Sequence, residues 1–214
     1  MYETTDKGIK RINQVIQHEF SLLRQTVLTF DEINIVQTAV NEAYAMILRE
    51  VRKIYLELAN EAYRASAGRD GLFTMLFIDQ FLYQYDPLTK YVFAHEWDRK
   101  RARTFEALVA SKKKDFPKEI KNAMYNLAIQ TTQYADEVTD TATLQGYVDA
   151  GIERVRWISE QDGRVCNECR SRNGRTYDVH KVPMKPHVRC RCYVLPAIKS
   201  SDDHIPTQQA LKSE

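Results

Sequence analysis

Through most of the first 150 residues, apolar side chains recur at steps of three and four, the spacing that gathers them on one side of an α-helix. Ile9, Ile12, Ile16, Phe20, Leu23 and Val27 form the first such stripe. Asp31 is placed to cap a second helix running to about Ala67, with Ile33, Val36, Val40, Ala43, Ile47, Val51, Ile54, Leu58 and Ala62 along one face. At 1.5 Å per residue this is a rod of about 50 Å. Being apolar on one side only, it needs another helix or a partner to cover it. Gly68-Arg69-Asp70-Gly71 interrupts the pattern. Leu72 to Tyr83, apolar at nine of twelve positions, predicts a buried helix or strand, with a partner-docking surface as the alternative. Asp86-Pro87 then offers a cap and a first-turn proline for a long helix through Ala110. Phe116-Pro117 opens another, with Ile120, Met124, Leu127, Thr131, Tyr134 and Val138 at heptad-like steps that favour shallow packing along a neighbour.

After Gly151 the helical period is lost. Glu153-Arg-Val-Arg-Trp-Ile158 alternates as a strand does, with Val155 and Trp157 on one face. The fold expected is therefore mainly α: a long-helix domain over residues 1–150, a small α+β module organised by cysteines over 151–198, and a loose polar tail over 199–214.

Charge sharpens this division. The net charge is +2, but residues 152–199 hold eleven lysines and arginines against five acidic residues, an excess of +6, and the rest of the chain carries −4. Such an excess either marks a surface for an anionic partner or is the ordinary display of a small module with little core. Two basic runs, Arg99-Lys100-Arg101 with Arg103 and Lys112-Lys113-Lys114, read as solvated surface, with Asp98, Glu106 and Asp115 close enough to offset them. No uninterrupted apolar run of about 20 residues predicts a membrane span. The N-terminus lacks the basic start and apolar stretch of a signal peptide, so a protein kept on the cytoplasmic side is expected.

All four cysteines fall inside 27 residues: Cys166, Cys169, Cys190 and Cys192. Cys166-Asn-Glu-Cys169 has the two-residue gap with which a tight turn aims both sulfurs at one point. Cys190-Arg-Cys192 aligns its sulfurs differently, because residues two apart on a strand share a face. Together they can close a tetrahedral zinc site, with His187 as a substitute ligand, so five candidates compete for four places. Two disulfides, a thioredoxin-like redox pair and metal-free thiols packed as small hydrophobes are the other readings. A reducing compartment disfavours the disulfides, and the missing strand–helix context disfavours the redox pair.

Catalysis finds little support. A zinc ligated by four sulfurs has no open position, and no Ser/His/Asp arrangement, phosphate-cradling glycine loop or His-Glu-x-x-His pattern is present. His180, Lys185 and His187 beside several arginines keep one alternative open, a phosphodiester-cleaving nuclease. A cytoplasmic zinc-ribbon protein that binds nucleic acid is another.

Written out, the segment is Trp157-Ile-Ser-Glu-Gln-Asp162-Gly-Arg164-Val-Cys166-Asn-Glu-Cys169, then Gly174, Pro186-His187-Val-Arg-Cys190-Arg191-Cys192 and Pro196. It resembles the phage head-morphogenesis, or minor head protein, family typified by the Mu F-like proteins. About ten positions agree in residue type and order, over roughly 40 of the 214 residues. Val188 stands where the family usually has proline. The resemblance implies a structural virion component present in few copies and assembled in the host cytoplasm. It would lie inside the head against the portal protein, acting in head assembly and in DNA packaging or ejection. Contacts with major capsid protein, scaffold or packaged DNA are further implied, and none with a membrane.

Overall fold

The computed structural model describes residues 2–71, 73–86, 90–160, 165–187 and 190–197, residues 2–4 by backbone alone. The tail from residue 199, Pro87, the Asp162 and Arg164 positions of the motif and Val188 lie outside the described residues.

The chain is mainly α. In order it forms α1 (Tyr2–Thr29), α2 (Ile33–Ala67), α3 (Met75–Tyr83), β1 (Tyr85–Asp86), β2 (Tyr91–Val92), α4 (Phe93–Ala110) and α5 (Phe116–Asp149). These are followed by β3 (Arg154–Ile158), α6 (Asn167–Arg172), β4 (Thr176–Asp178) and β5 (Tyr193–Pro196). The predicted stripes become the core. Ile12, Ile16, Phe20, Leu23 and Val27 of α1 pack with Val36 through Ala62 of α2 and with Ile120, Leu127, Tyr134 and Val138 of α5. Burying each such side chain contributes about 1.5–3 kcal/mol, which is why one apolar stripe per helix suffices to hold the bundle.

The α2 stripe is thus covered from within the chain, and it is not a free docking face. Ile33 alone of that stripe stays outside, 61% exposed, beside exposed Leu28 and Phe30 at the α1–α2 turn. The pairings also set direction. Gly8 lies against Leu58, so α1 and α2 are antiparallel. Lys113 meets Asp31, Tyr55 donates a hydrogen bond to the Thr131 carbonyl, and Tyr63 donates one to Asp149, so α2 and α5 run parallel. The fourth place around them is shared by α3 and α4. Phe81 of α3 and Phe93 of α4 both pack edge-on against Tyr134.

Three boundaries differ from expectation. The cap of α2 is Glu32 and not Asp31; no side chain caps this end, and the Glu32 carbonyl itself accepts the Ile35 and Val36 amides. The helix predicted from Asp86-Pro87 begins at Phe93, because Asp86 pairs with Tyr91 and Tyr85 with Val92 in a small hairpin. Lys90, with φ 63°, makes its turn and donates its amide to the Asp86 carbonyl. The segment expected to be buried forms α3 only from Met75, and it hides just one side: Ile78 and Leu82 are buried, whereas Leu76 and Tyr83 are exposed. The basic runs remain on the surface, with Arg99 on Glu96, Arg101 on Asp98 and Lys113 on Asp31.

Close approach of α5 to α2 depends on Gly146. A β-carbon there would lie 1.9 Å from the Ser66 hydroxyl and 3.0 Å from the Tyr63 carbonyl oxygen. Gly146→Ala is therefore expected to destabilise the fold by about 1–3 kcal/mol, overriding the better helix propensity of alanine. Adding Ser66→Ala should recover only part of the loss, since the backbone carbonyl cannot turn aside. Urea titration of the two variants measures both effects, and an unchanged midpoint for Gly146→Ala would contradict the close approach.

The exit from α5 is a fixed elbow. Gly151 adopts φ 73°, its amide reaches the Val148 carbonyl, and the Ile152 amide reaches back to Tyr147. This pair of bonds satisfies the last carbonyls of the helix, and Ile152 packs under the turn. The module beyond it is seated on α5: Tyr147 is buried with Val155 and Val179, and Leu144 and Val148 pack at the edge.

Candidate metal centre

Strand β3 is the middle of a three-stranded antiparallel sheet, order β4-β3-β5. Its alternation holds as predicted: Val155 and Trp157 are buried, and Arg154 and Arg156 face outward. Val155 belongs to the seam with α5, and Trp157 to a second apolar cluster with Cys169, Cys190 and Cys192. The Arg172 guanidinium lies 5.2 Å from the centre of the Trp157 ring, and Tyr177 meets that ring edge-on at 6.4 Å. Gly174, with φ 77°, lets the chain return beside β3, where its amide donates to the Trp157 carbonyl.

The first cysteine pair is carried on a helix start. Cys166 is the N-cap of α6 and its sulfur accepts the Cys169 amide at 3.3 Å, so a single turn brings both sulfurs to one side. This gives Cys166-x-x-Cys169 the helix start that the sequence did not reveal. The second pair was expected on a strand, yet Cys190 and Cys192 precede β5, which begins at Tyr193. The predicted alternation nevertheless survives in the irregular backbone, with both cysteines buried and Arg191 exposed. Sheet pairing starts one residue later because Ile158, at the end of β3, is matched by Tyr193.

None of the four cysteines is joined in a disulfide. The Cys169 and Cys190 sulfurs are 3.4 Å apart, far beyond the roughly 2.05 Å of a disulfide. His187 Nε2 is 3.6 Å from the Cys169 sulfur. The donors form two triads that share Cys169: Cys166 with Cys169 and His187, and Cys169 with Cys190 and Cys192, each within 4.8 Å. All five predicted ligand residues therefore come together, in an arrangement that could hold a metal ion. Zinc bonds of about 2.3 Å to sulfur and 2.0–2.1 Å to nitrogen imply tetrahedral edges of about 3.8 Å between sulfurs and about 3.6 Å from sulfur to nitrogen. The Cys169–Cys190 and Cys169–His187 separations, 3.4 and 3.6 Å, are close to these edges.

Electrostatics distinguish the thiols. Hydrogen bonds from the Cys169 amide and thiol, with a smaller effect of His187, lower the Cys166 thiol to about 7. Burial pushes the Cys169 and Cys190 thiols upward, and neighbouring sulfurs raise Cys169 further. A closely spaced set of buried thiols ionises together only beside a cation, so the donor chemistry fits a bound metal.

His180 belongs to neither triad. It is exposed on a short 3₁₀ turn, Val179–Lys181, where its amide donates to Asp178. Lys185, grouped by sequence with the histidines, instead forms an ion pair with Asp140 of α5 at 2.6 Å. Arg172 likewise serves the module itself, donating to the Met184 carbonyl and pairing with Glu168. Part of the basic excess is thereby used internally.

Sequence reasoning missed the acidic side of the seam. A cavity of about 290 Å³ lies between α3, α5 and the module, with Asp136, Glu137, Asp140 and Lys185 among its lining residues. Burial raises Asp136 to about 6 and Glu137 to about 7, and raises Asp140 despite Lys185. The available signal was three acidic residues within five positions of one helix, with no basic residue three or four positions away to pair with them.

Among the described residues no helix is long and apolar enough to cross a membrane. Compared with known proteins, the chain matches no family model, no curated protein and no solved structure.

Proposed function

We propose that this chain is a non-catalytic structural protein of a phage head, a portal-associated minor head protein whose C-terminal module is tied together by one zinc ion. The observation that carries the reading is the order of residues from Trp157 through Cys192, which resembles the head-morphogenesis motif. Support comes from the way the cysteines and histidine of that motif gather beside its tryptophan. Cys166, Cys169, Cys190 and Cys192 are the preferred ligands and His187 the reserve. When bound, the zinc acts as a cross-link, joining the α6 turn to the segment that enters β5. The exposed Leu28, Phe30 and Ile33 at the far turn are available to a protein neighbour, whereas the α2 stripe is not.

The protein is expected to copurify with portal protein and to appear in a mass-spectrometric inventory of purified virions at low copy. It should be absent from shells made of major capsid protein alone. Capture of the shell protein without portal, or absence from virions, would count directly against this assignment.

A further inference from the structure

We propose that the fourth zinc position is shared, with Cys169, Cys190 and Cys192 as permanent ligands and Cys166 and His187 exchanging in the remaining place. The inference rests on the zinc reading above and concerns how the site is built. Two overlapping triads and not one set of four are what the donors form, and Cys169 is common to both. The inner triad is fixed: Cys169, Cys190 and Cys192 are 3%, 4% and 3% exposed and pack with Trp157.

The outer pair is different. Cys166 is half-buried, His187 is exposed, and each lies within 4.8 Å of both Cys169 and the other. Tetrahedral zinc takes four ligands, so the inner three leave one place for two outer candidates; neither lies within 4.8 Å of both Cys190 and Cys192, so whichever binds closes onto the inner three with the metal. A bond to His187 would leave the Cys166 sulfur off the metal at the rim, and a bond to Cys166 would leave the imidazole off the metal. No electron transfer is involved; one donor replaces the other, and a proton is exchanged with solvent when Cys166 leaves as a thiol.

The test uses the full chain, loaded with zinc or cobalt, as wild type and as Cys166→Ser, His187→Ala, the double variant and Cys190→Ser. Native mass spectrometry should give one metal per chain for the wild type and both outer single variants, with affinities within about tenfold of one another. The double variant and Cys190→Ser should lose at least about a hundredfold. With cobalt, the thiolate-to-metal absorption of Cys166→Ser should be about three quarters that of His187→Ala, reflecting three sulfurs against four. In the zinc-loaded wild type, N-ethylmaleimide should alkylate Cys166 while the other three cysteines stay protected.

Loss of metal from either outer single variant would overturn the exchange, as would two ions per chain or equal protection of all four thiols. A wild type that binds no zinc would overturn the underlying zinc reading, and that result is distinct from any of these.

Discussion

Stripping the metal from the purified protein is expected to unfold the segment after Gly151 while the helical bundle stays folded. The module is about 45 residues, a size at which an apolar core alone seldom suffices without a metal or disulfide. Among the described residues its interior amounts to two small clusters, one around Trp157 and the cysteines and one around Val155 and Val179. A structural zinc contributes on the order of 10 kcal/mol to such a fold. Removing it also leaves closely spaced sulfurs without the cation that permits their ionisation. The bundle has its own core, from Ile12 in α1 to Ala142 in α5, which does not involve the cysteines. The boundary should not fall cleanly at residue 150, however. Tyr147 is buried by the module, and Asp140 holds Lys185, so the last turns of α5 are expected to fray with it. Limited proteolysis with mass mapping after chelation should show new cuts at Arg154, Arg156 and Arg170 and continued protection up to about Asp140. Most of the far-ultraviolet helical signal should remain. Unchanged protection after complete zinc removal would refute the structural role, and simultaneous loss of the bundle would refute its independence.

Glu137→Gln should stabilise the protein at pH 8 by about 1–3 kcal/mol, with the gain fading as the pH falls. Burial is the first cause of the raised Glu137 and Asp136 carboxyls; Asp86 and Asp140 add to it at Glu137, and Asp140 and Asp6 at Asp136. Lys185 and the Gln133 amide, which donates to Glu137 at 2.8 Å, offset only part. A carboxyl raised in the folded state binds its proton more tightly there than in the unfolded chain. The stability it contributes is complete below the unfolded value and is lost as the pH rises through the folded one. For Glu137 that window runs from about 4.5 to about 7, and for Asp136 from about 3.8 to about 6. The difference in unfolding free energy between wild type and Glu137→Gln should therefore be small near pH 4 and level off above pH 7. Asp140→Asn serves as the contrast, because it leaves Lys185 without its ion-pair partner and is expected to destabilise at pH 8. A Glu137→Gln variant less stable than wild type at pH 8 would show that this carboxylate is satisfied by its surroundings.

The helices were legible because their periodicity is local and redundant. In α5, Ile120, Leu127, Thr131, Tyr134 and Val138 are all buried, and a misreading at any one position would not have hidden the stripe. Gly68 ends α2 in the left-handed conformation expected of a C-terminal cap, because a φ of 69° costs glycine little. The start of α4 was hidden for the opposite reason. Two-residue strands have no period, and the pairing of Asp86 with Tyr91 competes with the helix start that Asp-Pro suggests. The cysteine site was legible as a set of ligands but not as a geometry. Spacing identifies residues that can converge, whereas the division into two triads depends on where the chain from Pro186 re-enters the sheet. Lys185 and Asp140 are 45 positions apart, and no local pattern links them. The parallel course of α2 and α5 is likewise a tertiary choice, made where Gly146 fits against Ser66 and Tyr63.

That parallel course has an electrical consequence. In an alternating bundle neighbouring helix dipoles cancel, but α2 and α5 point the same way and end together. Each helix terminus carries about half a unit of charge, so the two C-termini present roughly −1, of which the start of α1 offsets about half. The cysteine module, with its excess of +6, is joined to the bundle at this negative pole. Arg69 bridges toward Asp149 at the same end, at 3.6 Å. Backbone polarity and side-chain charge thus pull in one direction, and the seating of the module is strongest where counter-ions are scarce.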